Sequence, residues 1–195
     1  MLEPLKLFPL GQPLFPGVPL DLQIFEQRYL RLVRESMRHD EPFGIVAIAE
    51  GAEAGEEMLP YDIGVAVNIC DWRQQDNGLL GITVVGERRF HIESLYAEED
   101  GLIKAEVNWL APPSEAVALS LDQLDALEHL LRDLCEHPSL RWLEIEDDLS
   151  PLEISWCLAQ VLPVSVDTKL ELLAETDTDQ RLRHLEVLVE RLSHT

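Results

Sequence analysis

Along the first half of the chain, apolar residues recur at every second position. Tyr61, Ile63, Val65, Val67 and Ile69 alternate with Asp62, Gly64, Ala66, Asn68 and Cys70, which predicts a strand with one set of side chains on each face. Leu80, Ile82 and Val84 resume that period after Gln75-Asp-Asn-Gly78. Asn-Gly is a strong hairpin signal, because both residues tolerate a positive φ. Phe90 and Ile92 begin a further predicted strand, Glu99-Asp-Gly101 makes a turn, and Ile103, Ala105, Val107 and Trp109 form the next strand. Leu5-Lys-Leu-Phe8, Val18-Pro-Leu-Asp-Leu22 and Phe43 to Ala49 bring the count to six or seven strands at hairpin-like spacing. That is the pattern of a barrel or sandwich. One predicted helix, Gln27 to about Arg38, interrupts it, and a Glu- and Ala-rich loop is expected over residues 50–57.

Beyond residue 110 the period lengthens. Leu124, Leu127, Leu131 and Leu134 follow the capping box Ser120-Leu-Asp-Gln123 and stop at His137-Pro138. Ser150-Pro-Leu-Glu153 is a second capping box, with Pro151 at the first helical position. Ser165 caps a third predicted helix, and Asp177-Thr-Asp-Gln180 opens a last one with Leu182, Leu185, Val189 and Leu192 on one face. Composition changes at the same place: all ten Gly, five Phe and three Tyr lie before residue 102. Gly and aromatics belong to turns and strands, Leu and Glu to helices. The prediction is an α+β chain: a β-rich domain over residues 1–110, the connector Pro112-Pro113-Ser114, and a helical bundle over residues 111–195.

Charge narrows the function classes. Lys and Arg number 15 against 37 Asp and Glu, a formal net charge of −22. Such a surface repels phosphates, so nucleic acid is not an expected partner, and neither is an anionic membrane. No apolar run reaches the roughly 20 residues of a membrane helix, and the start, Met1-Leu-Glu-Pro-Leu-Lys6, does not read as a signal peptide. A cytoplasmic location, with Cys70, Cys135 and Cys157 as free thiols, is the expectation.

Catalytic patterns are weak. No Gly precedes a Lys, so there is no P-loop. His129, Cys135 and His137 lack a fourth ligand in register; Ser165 and Lys169 fit a cap and a surface lysine better than a nucleophilic dyad; Cys70 with His91 and the acidic runs Glu98-Glu-Asp100 and Glu144 to Asp148 suggest no site. No catalytic residue, metal or cofactor is expected. The predicted helix after Glu26 does place Arg28, Arg31, Arg34 and Arg38 within about a third of its circumference. That stripe could dock the acidic helical part or an acidic partner, with Tyr29, Leu30, Val33 and Met37 on the opposite side. Trp72, Trp109, Trp142 and Trp156 read as core or domain contacts before ligand platforms.

Several motifs in order carry a family resemblance. They are Leu7-Phe-Pro-Leu10, Leu14-Phe-Pro-Gly17-Val-Pro-Leu20, Arg28-Tyr-Leu, Asp62-Ile-Gly64-Val-Ala66 and Gly86-Glu-Arg-Arg89-Phe-His-Ile92. Leu162 to Ser165, Lys169 to Leu173 and Arg181-Leu182 follow in the helical part. Together they resemble the N-terminal substrate-binding domain of the ATP-dependent protease Lon. The resemblance implies a PUA-like β pseudo-barrel followed by a helical bundle, and contact with unfolded or exposed polypeptide segments. Lon's ATPase and peptidase domains have no counterpart in these motifs, so a stand-alone, non-enzymatic binding module is expected, acting as adaptor or holdase. Full-length Lon or another protein is a further candidate partner. Candidate protein-binding residues are Leu14, Phe15 and Pro16 on a Pro-rich turn near the surface, Arg28, Arg31, Arg34, Arg88 and Arg89, and Trp72. The alternatives are a small-ligand sensor with Trp72 or Trp109 as a pocket wall, and a hydrolase with a site assembled from distant residues.

Overall fold

The computed structural model describes residues 2–50, 59–140 and 142–194; beyond Glu50, the loop expected over residues 50–57 lies outside them. The chain divides into two compact units, Met1–Leu110 and Ala111–Thr195.

In the first unit, β1 (Glu3–Leu10), β2 (Pro19–Ile24), α1 (Gln27–His39), β3 (Phe43–Glu50), β4 (Leu59–Gln74), β5 (Leu80–Ala97) and β6 (Ile103–Trp109) follow in sequence. The sheet order is β2-β5-β4-β3-β1-β6, and β6 pairs again with β5. That second pairing closes β1, β3, β4, β5 and β6 into a ring, while β2 lies against the first half of β5 only, from Pro19 opposite Val85 to Ile24 opposite Leu80. β1 and β3 run parallel; every other pairing is antiparallel.

The two predicted strands at residues 80–84 and 90–92 are one strand of 18 residues. Gly86-Glu-Arg interrupts the alternation, which is why the sequence reads as a break. In the fold, Gly86 is where the backbone of Phe15 crosses: a Cβ there would sit 2.5 Å from the Phe15 carbonyl oxygen. Gly17 N–H donates to Gly86 O at 2.8 Å, and Gly86 N–H donates to Val18 O at 3.3 Å. Nor does β4 show the single buried face of its alternation, since Ile63 to Val67 are buried without interruption. Both faces of the sheet carry apolar layers. On one, Leu5, Leu7, Val46, Ala66, Ile92, Ala105 and Val107 surround Phe90, drawing on all five ring strands. On the other, Phe8 packs on Phe43 and on Tyr29 of α1.

The second unit holds α2 (Leu121–Cys135), a 3-10 turn (Pro138–Leu140), α3 (Pro151–Val161), α4 (Val166–Ala174) and α5 (Thr178–Ser193) among the described residues. Both capping boxes form, Ser120 with Gln123 and Ser150 with Glu153. α3 packs against α2, α4 and α5, so its residues Ile154 to Ala159 are buried all the way round.

Candidate functional site

Strand β4 outruns its neighbour. Its pairing with β3 begins at Val67 opposite Phe43, whereas its pairing with β5 continues to Gln74 opposite Leu80. From Asn68 to Gln74, therefore, one edge of β4 pairs with no strand among the described residues. The chain leaves α1 through Asp40, whose φ of 55° is left-handed, and Ser36 holds the turn by donating its hydroxyl to Glu41 O at 2.6 Å. This turn carries the backbone away from the place where β3 would otherwise extend along β4.

A cleft of about 300 Å³ lies there, lined by Met37, Asp40 and Glu41 on one side and Ile69, Asp71 and Trp72 on the other. Trp72 is 59% exposed and Met37 46%. Cross-strand register sets Trp72 beside Ile82 and Leu22, so an apolar row runs over three strands and ends at Trp72 on the open edge. The opposite face carries Asp71, Thr83 and Asp21 in register. Thr83 Oγ1 donates to Asp21 at 2.5 Å, and Arg73 donates to it at 2.7 Å. The Trp72 backbone N–H points away from β5 and donates to the Asp71 carboxylate at 2.8 Å.

The arginine stripe serves this unit itself. Arg31 joins Glu98, Asp100 at 2.8 Å and Glu35, and Arg28 donates to Gly101 O at 3.0 Å and to Glu26. Half of the stripe thus locks α1 to the β5–β6 turn. The paired cations hold the Glu98 and Asp100 carboxyls below their ordinary range. Arg34 and Arg38 are exposed. The remaining candidates separate. Leu14 and Phe15 are 1% and 0% exposed, not at the surface, because their turn packs across Gly86; Pro16 is half-buried. Arg89 is buried at 3%, while the exposed Arg88 stacks 4.5 Å from the Trp109 ring centroid. Of the nine candidates, only Trp72 lines the cleft.

The sequence pattern of the ATP-dependent protease La (Lon) substrate-binding domain matches residues 4–191. The chain belongs to that family. It is 25% identical to the Lon protease of Syntrophus aciditrophicus (strain SB) over 188 residues, 90% of this chain and 23% of that protein. It is 24% identical to Lon protease 2 of Myxococcus xanthus, over 96% of this chain and 23% of that one. It thus spans about a quarter of the length of the curated relatives it matches. Among solved structures, the Lon N-terminal domain protein from Xanthomonas campestris is 31% identical, with a TM-score of 0.76 over 95% of this chain and 98% of that one. The N-terminal domain of Mycobacterium avium complex Lon protease shares the fold at 17% identity and a TM-score of 0.65, covering 96% and 98%.

The Lon-type motifs prove to be scaffolding. Gly64 and Gly44 lie flat beneath Phe90, since a Cβ on either would approach Phe90 Cζ to 2.6 Å. In the helical unit, Ser165 accepts the Thr168 N–H as an N-cap. Lys169 is not the surface lysine the sequence suggests. It is 7% exposed, its Nζ donates to Gln160 O at 2.7 Å at the end of α3, and burial pushes its pKa down. Arg181 is fully buried and binds carbonyls at the end of α4. Cys70 and His91 each have another partner: Cys70 Sγ lies 3.3 Å from Thr83 O, and His91 Nε2 lies 3.0 Å from Asp62. Among the described residues, no three His, Cys, Asp or Glu side chains gather as metal ligands, and no helix is long and apolar enough to cross a membrane.

Sequence reasoning missed Met37, Asp40 and Glu41 as site residues. Their one signal is that α1's apolar side continues to Met37, past the last position the sheet covers.

Proposed function

We propose that this chain is a non-enzymatic polypeptide-binding module, an adaptor or holdase that engages exposed segments of other proteins as the Lon substrate-recognition domain family implies. The observation that carries the reading is the cleft at the open edge of β4, where Trp72 and Met37 stand exposed beside unpaired strand backbone. An exposed aromatic with a polar surround is the usual form of a binding hot spot. The test is fluorescence anisotropy of labelled, reduced and alkylated ribonuclease A, with the folded enzyme as control. Saturable binding of the unfolded chain alone is expected, weakened about tenfold or more by Trp72→Ala. No binding at high micromolar protein overturns the reading.

A second reading, a small-ligand sensor, has one observation in its favour. A cleft of about 420 Å³ is lined by Trp109, Leu5, Leu32, Lys6 and Lys104, and Trp109 Nε1 is buried with no hydrogen-bond partner among the described residues. Buried donors are normally satisfied, so a ligand acceptor would complete it. A thermal-shift panel of small carboxylates tests this reading; a Tm rise abolished by Trp109→Phe supports it, and a flat panel removes it.

A further inference from the structure

We propose that the open edge of β4 binds its client by strand addition, taking an extended segment in which a Lys or Arg sits between apolar residues. The inference rests on the polypeptide-binding reading above and names the mode and the client chemistry. Among the described residues Asn68 to Gln74 pairs only with β5, with a bulge between Ile69 and Asp71, so the outward N–H and C=O groups from Asp71 to Gln74 form a template for one more strand. The cleft is the room such a strand needs, opened by the left-handed turn at Asp40. Alternation on the two faces then sets the sequence that fits. Side chains on one face of the added strand meet Trp72, the exposed end of the apolar row, and those on the other meet Asp71, with Asp40 and Glu41 across the cleft. The first set must be apolar and the second must include a cation.

Asp71 also explains how the edge stays shielded when empty. Its carboxylate occupies the Trp72 N–H at 2.8 Å, blunting the edge as charged groups do on sheet borders. A client cation takes over the carboxylate, and the freed N–H pairs with a client carbonyl. A second copy of this chain is a poor occupant by the same logic. Its own Asp40, Glu41 and Asp71 would meet their equals, on a molecule of net charge −22.

The test uses the full chain and four fluorescent peptides: an alternating Lys-Val-Lys-Leu-Lys-Val segment, the same segment N-methylated at alternate residues in each of the two registers, and one with Glu for Lys. N-methylation removes strand hydrogen bonds while leaving side chains and charge in place. The expected result is saturable binding of the first peptide, with at least a tenfold loss for one of the two N-methylated registers, for the Glu peptide, for Trp72→Ala and for Asp40→Asn with Asp71→Asn. Circular dichroism of each variant checks the fold; the mutated side chains are exposed. Only the register that turns its methyl groups toward β4 blocks the pairing, so both are tested. Equal binding on both overturns strand addition, and equal binding of the Glu peptide overturns the cation requirement. If unfolded ribonuclease A binds while no peptide does, or a concentration-dependent dimer forms through this edge in sedimentation, the inference falls and the polypeptide-binding reading stands. If neither binds, both fall.

Discussion

Arg181→Met should destabilise the helical unit far more than its conservative volume suggests. Arg181 is fully buried. Its Nε donates to Leu172 O at 3.0 Å, one Nη to Ser155 Oγ at 3.0 Å and the other to Glu175 O, while Cζ lies 3.5 Å over the Trp156 ring. Helix α4 ends at Ala174, so Leu172 O has no acceptor role left within the helix, and the guanidinium takes it up at the negative end of the helix dipole. Methionine fills the space but donates nothing. The buried Leu172 carbonyl then loses its partner at about 1–3 kcal/mol, the half-buried Glu175 carbonyl loses the guanidinium at about 1 kcal/mol, and the stacking on Trp156 is lost at about 1 kcal/mol. The expected loss is about 3–5 kcal/mol, which for a unit of this size lowers Tm by about 12 °C or more. Arg181→Lys should recover only part of it, because an ammonium cannot span three acceptors in one plane. Urea unfolding followed at 222 nm, with native-state hydrogen exchange at the α4 amides, reads the effect. If Arg181→Met stays within about 1 kcal/mol of the parent, the guanidinium is not what holds the end of α4.

Gly64→Ala forces a Cβ to within 2.6 Å of Ile45 O and Phe90 Cζ, so a loss of about 1–3 kcal/mol is expected in urea unfolding of the β-rich unit. A neutral variant would mean that Phe90 moves freely. Arg31→Ala should cost about 1 kcal/mol at neutral pH. Lys104 and then Arg31 hold the Glu98 carboxyl pKa down, and Arg31 holds that of Asp100 down, so their contribution is full above the unfolded carboxylate range. It is lost as the pH falls through the lowered values, and the difference between variant and parent should vanish on strong acidification. A difference that persists at about pH 2 would contradict this. Cys70 is exposed and Cys157 buried, with the Cys157 thiol pushed up to about 11 by desolvation. Iodoacetamide at mildly alkaline pH should label Cys70 before Cys157, and early labelling of Cys157 would show that α3 opens in the native state.

The strands and helices with local signals were legible: alternation marked β4 and β6, a short apolar run marked β3, and Ser120 and Ser150 capped the helices they announced. What failed depended on residues far apart in sequence. The continuity of β5 through Gly86 follows from the Phe15 backbone lying over it, and the same contact buries Leu14 and Phe15, which a Pro-rich turn suggested were exposed. Arg28 and Arg31 read as a free stripe because Glu98 and Asp100 reach them only across the folded sheet. The cleft was the least legible part. Trp72 was visible as a candidate, yet its exposure depends on where β3 stops pairing, and one left-handed residue, Asp40, turns the chain out of line there.

That division has a consequence for what family membership conveys. Gly64, Gly86, Phe90 and Arg181 carry the resemblance, and each is tied to packing or to a buried backbone group. None lines the open edge of β4, where Met37, Asp40, Glu41, Asp71 and Trp72 lie. Two chains can therefore share the scaffold while presenting different edges to their clients, because the scaffold's packing places no demand on those exposed side chains. Exchanging Glu41 and Asp71 for lysines, with the left-handed Asp40 kept, should leave stability within about 0.5 kcal/mol while turning preference from basic toward acidic peptides. A variant that keeps its stability and its original preference would place the specificity elsewhere on the unit.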